Sequence, residues 1–184
     1  EQTMRQKLTQ PALFALFALI SVASGCGPGP EPIDVVEATI ADVQEAILSA
    51  KTTCQMVVQA YIDRIEAYDK KGPALNAIVR VNPRALERAD ELDREISQGG
   101  ITKPLQCVPM IVKDNYDTHD MPTTASAVAM AGFIPPDDGF QVRKLREAGV
   151  VFIGKTNMHE FARGIETISS LGGQTLNPYD PRRN

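Results

Sequence analysis

Tryptophan is absent from these 184 residues, and four Tyr and six Phe make up the whole aromatic complement. A surface that stacks bases needs aromatic platforms together with an excess of cations. The formal net charge is -4 with both signs interspersed, so no nucleic-acid partner is expected. Histidine occurs only at 119 and 159 and cysteine only at 26, 54 and 107. Neither type has the close spacing of a zinc site, and the two histidines are too far apart to be a helical ligand pair, so no metal is expected. No Gly-x-Ser-x-Gly elbow occurs. Ser169-Ser170 lies beside Gly172-Gly173 but lacks the flanking glycine two residues before, which leaves Ser/His/Asp hydrolysis unsupported.

What is present begins with an address. Arg5 and Lys7 precede an apolar block over residues 11–23, too short for the roughly 18 to 20 residues of a bilayer-crossing helix. Basic, apolar and small-residue regions follow in the order of a signal peptide, expected over residues 1–25, with Met4 as the start. Its close, Ala23-Ser24-Gly25-Cys26, resembles a bacterial lipobox, although Ala23 stands where leucine is usual. A lipid on Cys26 is therefore expected, with plain secretion or a free cysteine as the alternatives. Glycine and proline then dominate residues 26–37, which read as a tether, because proline lacks a donor and glycine resists ordering. These features predict an exported protein, periplasmic or at the cell surface, held to the membrane through Cys26.

Residues 38–184 have the length of one domain, and the chain is 43 % hydrophobic, enough to bury a core. Ile40, Val43 and Ile47 share a helical face over residues 39–50. Thr53 is placed to cap a second helix carrying Val57, Tyr61, Ile65 and Tyr68, which ends at Lys71-Gly72-Pro73. A strand is predicted over 76–81. Pro83 then opens a third helix, with Leu86, Ala89, Leu92 and Ile96 facing inward and Gly99-Gly100 at its end. A long irregular segment spans 116–136, a helix covers about 139–148, a short strand covers 150–153, and Asn157 and Glu160 have the spacing that starts another helix. Strand and helix alternate as in an α/β protein. Cys54 and Cys107 could be a disulfide or two buried thiols.

Gly149 to Thr156 fits the phosphate-binding Gly-x4-Gly-Lys-Thr pattern letter for letter. Its four variable positions are Val-Val-Phe-Ile, which is a strand rather than a loop that can turn its N–H groups towards phosphate, so nucleotide binding is rejected. No organic cofactor is expected.

The stretch over residues 105–115 carries five apolar positions, Cys107, Val108, Met110, Ile111 and Val112, and ends in Lys113, Asp114 and Asn115. The run predicts a strand covered on both faces, with Lys113 at its tip. An ammonium desolvated there becomes a base; alternatively it snorkels to water or pairs with Asp114.

Taken together, Pro109-Met-Ile-Val-Lys113-Asp-Asn115, Met121-Pro-Thr-Thr124, Phe133-Ile-Pro-Pro136, residues 142–149 and Gly154-Lys-Thr-Asn-Met-His-Glu-Phe161 resemble the amidase signature family in order and spacing. The resemblance extends to residues 63–69 and 75–78. It implies a large α/β/α fold with a mixed central sheet, of which this chain holds the N-terminal part. It also implies that Lys113 is the base of a Ser-cis-Ser-Lys triad, with Asp114 and Asn115 supporting it and Thr123, Thr124 and Ser126 on a substrate loop. Ala125-Ser126 stands where the family more often has Ala-Gly. Family members place the relaying serine in a Gly/Ser-rich loop directly after a segment like Asn177-Pro-Tyr-Asp180, and the nucleophile later still. The expectation is thus an exported amidase acting on a small amide, with only its lysine present here and no hydrolysis by the chain alone. A non-catalytic surface lipoprotein is the competing class. The glutaminase component of a tRNA-dependent amidotransferase is the other branch of the family. The oligomeric state is left open.

Overall fold

A computed structural model describes residues 29–183. The leader and Cys26 lie outside the described residues. The end of the tether lies against the body: the Glu31 amide donates to the Lys51 carbonyl, and Val35 is buried.

Helix α1 (Ile40–Leu48) starts on a capping box, in which Thr39 accepts from the Asp42 amide and the Asp42 carboxylate accepts from the Thr39 amide. Val43 and Ile47 are buried as expected, whereas Ile40, in the first turn, is about half exposed. Helix α2 (Cys54–Arg64) is capped by Thr53 as its sequence predicts, with the Met56 amide donating to Thr53 Oγ1 at 3.1 Å. The Asp93 carboxylate, from across the fold, accepts from the amides of Cys54 and Gln55. This satisfies helix-end donors with a charge of the favoured sign. A π-helical turn, Ile65–Lys70, continues α2 before the chain enters strand β1 (Ile78–Val81). Helix α3 (Ala85–Gly99) begins two residues later than the Pro83 signal suggests, because the Asn82 side chain accepts from the Arg84 amide and forms a turn first. Gly100, at φ +72°, ends it.

Strand β2 (Pro109–Lys113), helix α4 (Phe140–Glu147) and strand β3 (Val151–Thr156) follow, and a two-residue-per-strand hairpin, β4 (Ile168–Ser169) with β5 (Gly173–Gln174), comes last. The main sheet has the order β1-β3-β2, with β1 antiparallel and β2 parallel to β3. The sheet is therefore mixed, as expected. On one face Val151 and Ile153 pack with α1, α2 and α3 through Val43, Val57, Ala89 and Leu92. On the other, Val112, Met121, Val142, Val150 and Phe152 form a second core under α4. Among the described residues no helix is long and apolar enough to cross a membrane.

Three expectations are corrected. The 105–115 run is not a strand covered on both faces. Cys107 sits before the strand at φ +65°, β2 is an edge strand, and Ile111 is 42 % exposed. The helix expected from Asn157 is only a 3-10 turn, Glu160–Ala162. The side chains that were to start it are engaged elsewhere: Asn157 donates to the Gly173 carbonyl and accepts from Ser169 Oγ, and Glu160 accepts from the Ser170 amide. The β3 strand extends past 153 to Thr156, so Lys155 lies on it. The open question of the two cysteines is settled as a buried Cys54–Cys107 disulfide, with Cα atoms 5.3 Å apart.

Candidate active site

Lys113 ends β2 in register with Thr156, and its side chain is exposed at the edge of the sheet. The backbone behind it is tightly fixed. The Asp114 amide donates to the Thr156 carbonyl, the Tyr116 amide to the Lys113 carbonyl, and the Ala125 amide to the Asp114 carbonyl. Asp114 itself is buried, 1 % exposed, and its Oδ2 accepts from Thr124 Oγ1 and from the Ser126 amide. A buried carboxylate with two donors is satisfied rather than free to react.

Thr123, Thr124 and Ser126 turn inward and are buried. Thr123 Oγ1 donates to the Tyr116 carbonyl, and Ser126 Oγ accepts from the Met158 amide at 3.1 Å. Ser126 has φ +55°, the left-handed region that glycine occupies at least cost. Ser126 thus adopts a backbone that favours glycine and adds a hydroxyl that meets a buried N–H. The structure therefore brings Asp114, Thr123, Thr124 and Ser126 together, while Lys113 and Asn115 face solvent.

The residue not singled out from the sequence is Lys155. It is fully buried, and its Nζ donates to the Tyr116 carbonyl at 2.7 Å, Thr123 Oγ1 at 3.0 Å and the Pro122 carbonyl at 3.3 Å, with Asp114 Oδ1 3.6 Å away. Burial pulls its pKa below the usual lysine value, opposed by the charge and hydrogen bonding of Asp114. The signal available was Gly154, a glycine inside a strand pattern, which marks a bulge or a close backbone approach. As expected from the rejected nucleotide motif, the four variable positions are not a phosphate cradle, and the lysine is committed to protein acceptors.

A cavity of about 300 Å³ lies elsewhere, lined by Asn82, Arg84, His119, Asp120, Arg146 and Phe152, among others. At its rim His119 and Asp120 lie, with Asp138, close enough together to share a cation, but Arg146 already holds both carboxylates, at 2.6 Å to Asp120 and 2.7 Å to Asp138. Burial raises the Asp138 pKa, yet the His119 donors and Arg146 outweigh it and hold the carboxyl below its usual range.

With this geometry in place, the comparison with known proteins is decisive: the Amidase family model matches residues 56–184. The chain belongs to the amidase family. It is 38 % identical over 151 residues to a glutamyl-tRNA(Gln) amidotransferase subunit from Acidothermus cellulolyticus, covering 82 % of this chain and 29 % of that one. The peptide amidase of Stenotrophomonas maltophilia superposes with a TM-score of 0.75 at 41 % identity, over 79 % of this chain and 31 % of that structure. An amidase-family protein from Bacillus anthracis gives 0.74 at 35 % identity, over 80 % and 30 %. The chain thus spans under a third of the length of these amidase relatives.

Proposed function

We propose that this chain carries the lysine-bearing part of an amidase that hydrolyses a small linear or peptide-like amide through a Ser-cis-Ser-Lys triad, with Lys113 as its base. The observation that carries the proposal is the placement of Lys113, which ends a parallel strand and reaches solvent from a backbone pinned by buried Asp114. In the proposed reaction Lys113 receives, through a relaying serine, the proton of the nucleophilic serine as that oxygen attacks the amide carbonyl. The proton then goes to the leaving amine, the C–N bond breaks, and water releases the acyl-enzyme. Residues 1–184 hold the lysine without the Gly/Ser-rich loop, so they are expected to be inactive by themselves.

Export is supported by the signal-like leader and by the Cys54–Cys107 disulfide, which favours an oxidising compartment. The same two features weigh against the amidotransferase branch to which several curated relatives belong by name. Membrane attachment through a lipid on Cys26 completes the proposal.

The test is a chimera in which this chain replaces the matching third of the Stenotrophomonas peptide amidase. Hydrolysis of a peptide amide is expected, together with a loss of kcat of at least about 10³-fold in Lys113→Ala. A folded chimera whose activity is indifferent to Lys113→Ala would instead favour the non-catalytic lipoprotein.

A further inference from the structure

Strict alternation along β3 would put Lys155 on the same face as Val151 and Ile153, towards α2 and α3. The pairing with β2 shows why it is not there. Met110 is opposite Phe152 and the next residue, Ile111, is opposite Gly154, so Ile153 is an extra residue without a partner in β2. Such a bulge re-aims the side chains that follow it. Lys155 is thereby turned to the face of Val112, its register partner, and enters the loop that runs from Asp114 to Ser126. Gly154 permits the bulge: a Cβ there would stand 2.5 Å from the Arg80 carbonyl oxygen.

Inside the loop the match of donors to acceptors is complete. An ammonium has three N–H donors. Two carbonyls and one hydroxyl, all from the loop, accept them, and Asp114 supplies the opposite charge. The acceptors come from residues 116, 122 and 123, so a single cation closes the loop on itself. The same Asp114 that faces Lys155 is the residue immediately after Lys113.

We infer that Lys155 is a positioning residue whose buried ammonium templates the 114–126 loop and, through Asp114, sets the direction in which Lys113 leaves the sheet. Its significance for catalysis rests on Lys113 being the base, but the test does not.

In the 184-residue chain labelled with ¹⁵N lysine, the Lys155 ammonium protons of the unaltered protein should exchange slowly and show hydrogen-bond couplings to the Tyr116 and Pro122 carbonyl carbons. Fast exchange with no coupling overturns the inference whatever the variants do. In Lys155→Met, amide exchange at Thr123, Ala125 and Ala127 should accelerate at least about tenfold, while the α3 amides keep their protection. The Lys113 Cε–Nζ correlation should move, and Lys155→Arg, which keeps a cation, should return it part-way. Loop protection and a Lys113 signal both unchanged in Lys155→Met overturn the inference. Should Lys155→Met unfold the whole chain, the ammonium measurement on the unaltered protein decides. None of these outcomes depends on amide hydrolysis, so a failed chimera leaves them standing.

Discussion

One face of this small sheet and its β2 edge differ in how closely the described residues cover them. Against one face of β3, the helices α1 to α3 close a core in which Val57, Val58, Ala89 and Leu92 have no exposure, and the Cys54–Cys107 bond fastens it. Among the described residues neither outer strand has a further partner, and along β2 Ile111, Tyr116, Phe133, Ile134 and Phe161 remain exposed near the loop. Stability is concentrated on the closed side and the candidate chemistry on the open side. A backbone fixed by interior groups can hold an exposed lysine in place at a sheet edge.

This contrast gives measurements that would break it. Reduction of the disulfide, or Cys54→Ala with Cys107→Ala, should lower unfolding stability by about 4 kcal/mol on the chain-entropy account of a bridge enclosing some fifty residues. A urea midpoint unmoved by reductant would mean that the closed side does not need its fastening. Leu92→Ala should cost about 2–5 kcal/mol by leaving a cavity, whereas Ile111→Ala on the open edge should cost less than about 1 kcal/mol. Equal losses in thermal denaturation would abolish the distinction.

Acid should act through Asp138. Its folded-state pKa lies below the unfolded value of 3.8, so its contribution is present above that value and fades as pH falls through the lower folded one. Stability measured from pH 5 down to pH 2 should fall more steeply than in Asp138→Asn. The smallest effect is expected at Ser126→Gly. Relief of the left-handed backbone, about 1 kcal/mol, offsets loss of the hydroxyl's bond to the Met158 amide, also about 1 kcal/mol. A clear loss by denaturant titration would show that the hydroxyl matters more than the backbone.

The local signals were legible where the chain satisfies itself. Thr53 as a cap, Val43 and Ile47 as the buried face of α1, and the strand within the nucleotide-like motif all follow from short-range chemistry. The amidase family was legible too, through blocks of residues in order. Other features depended on partners distant in sequence. Asn157 and Glu160 have the letters of a helix start, but the β4–β5 hairpin draws both side chains away, Glu160 to the Ser170 amide in its turn. Lys155 was hidden because its orientation comes from a bulge, and periodicity gives no warning of a residue that breaks the period. The run before Lys113 is apolar enough for a strand covered on both faces, yet Ile111 is open to water in this chain.

The Cys54–Cys107 bond closes a covalent ring that contains α2, β1 and α3. A turn within that ring, residues 71–74, is exposed throughout. A single peptide cleavage there would open the ring without releasing a fragment, so the segment ending in Lys113 would stay joined to the leader side of the chain. Only reduction would then separate the two pieces.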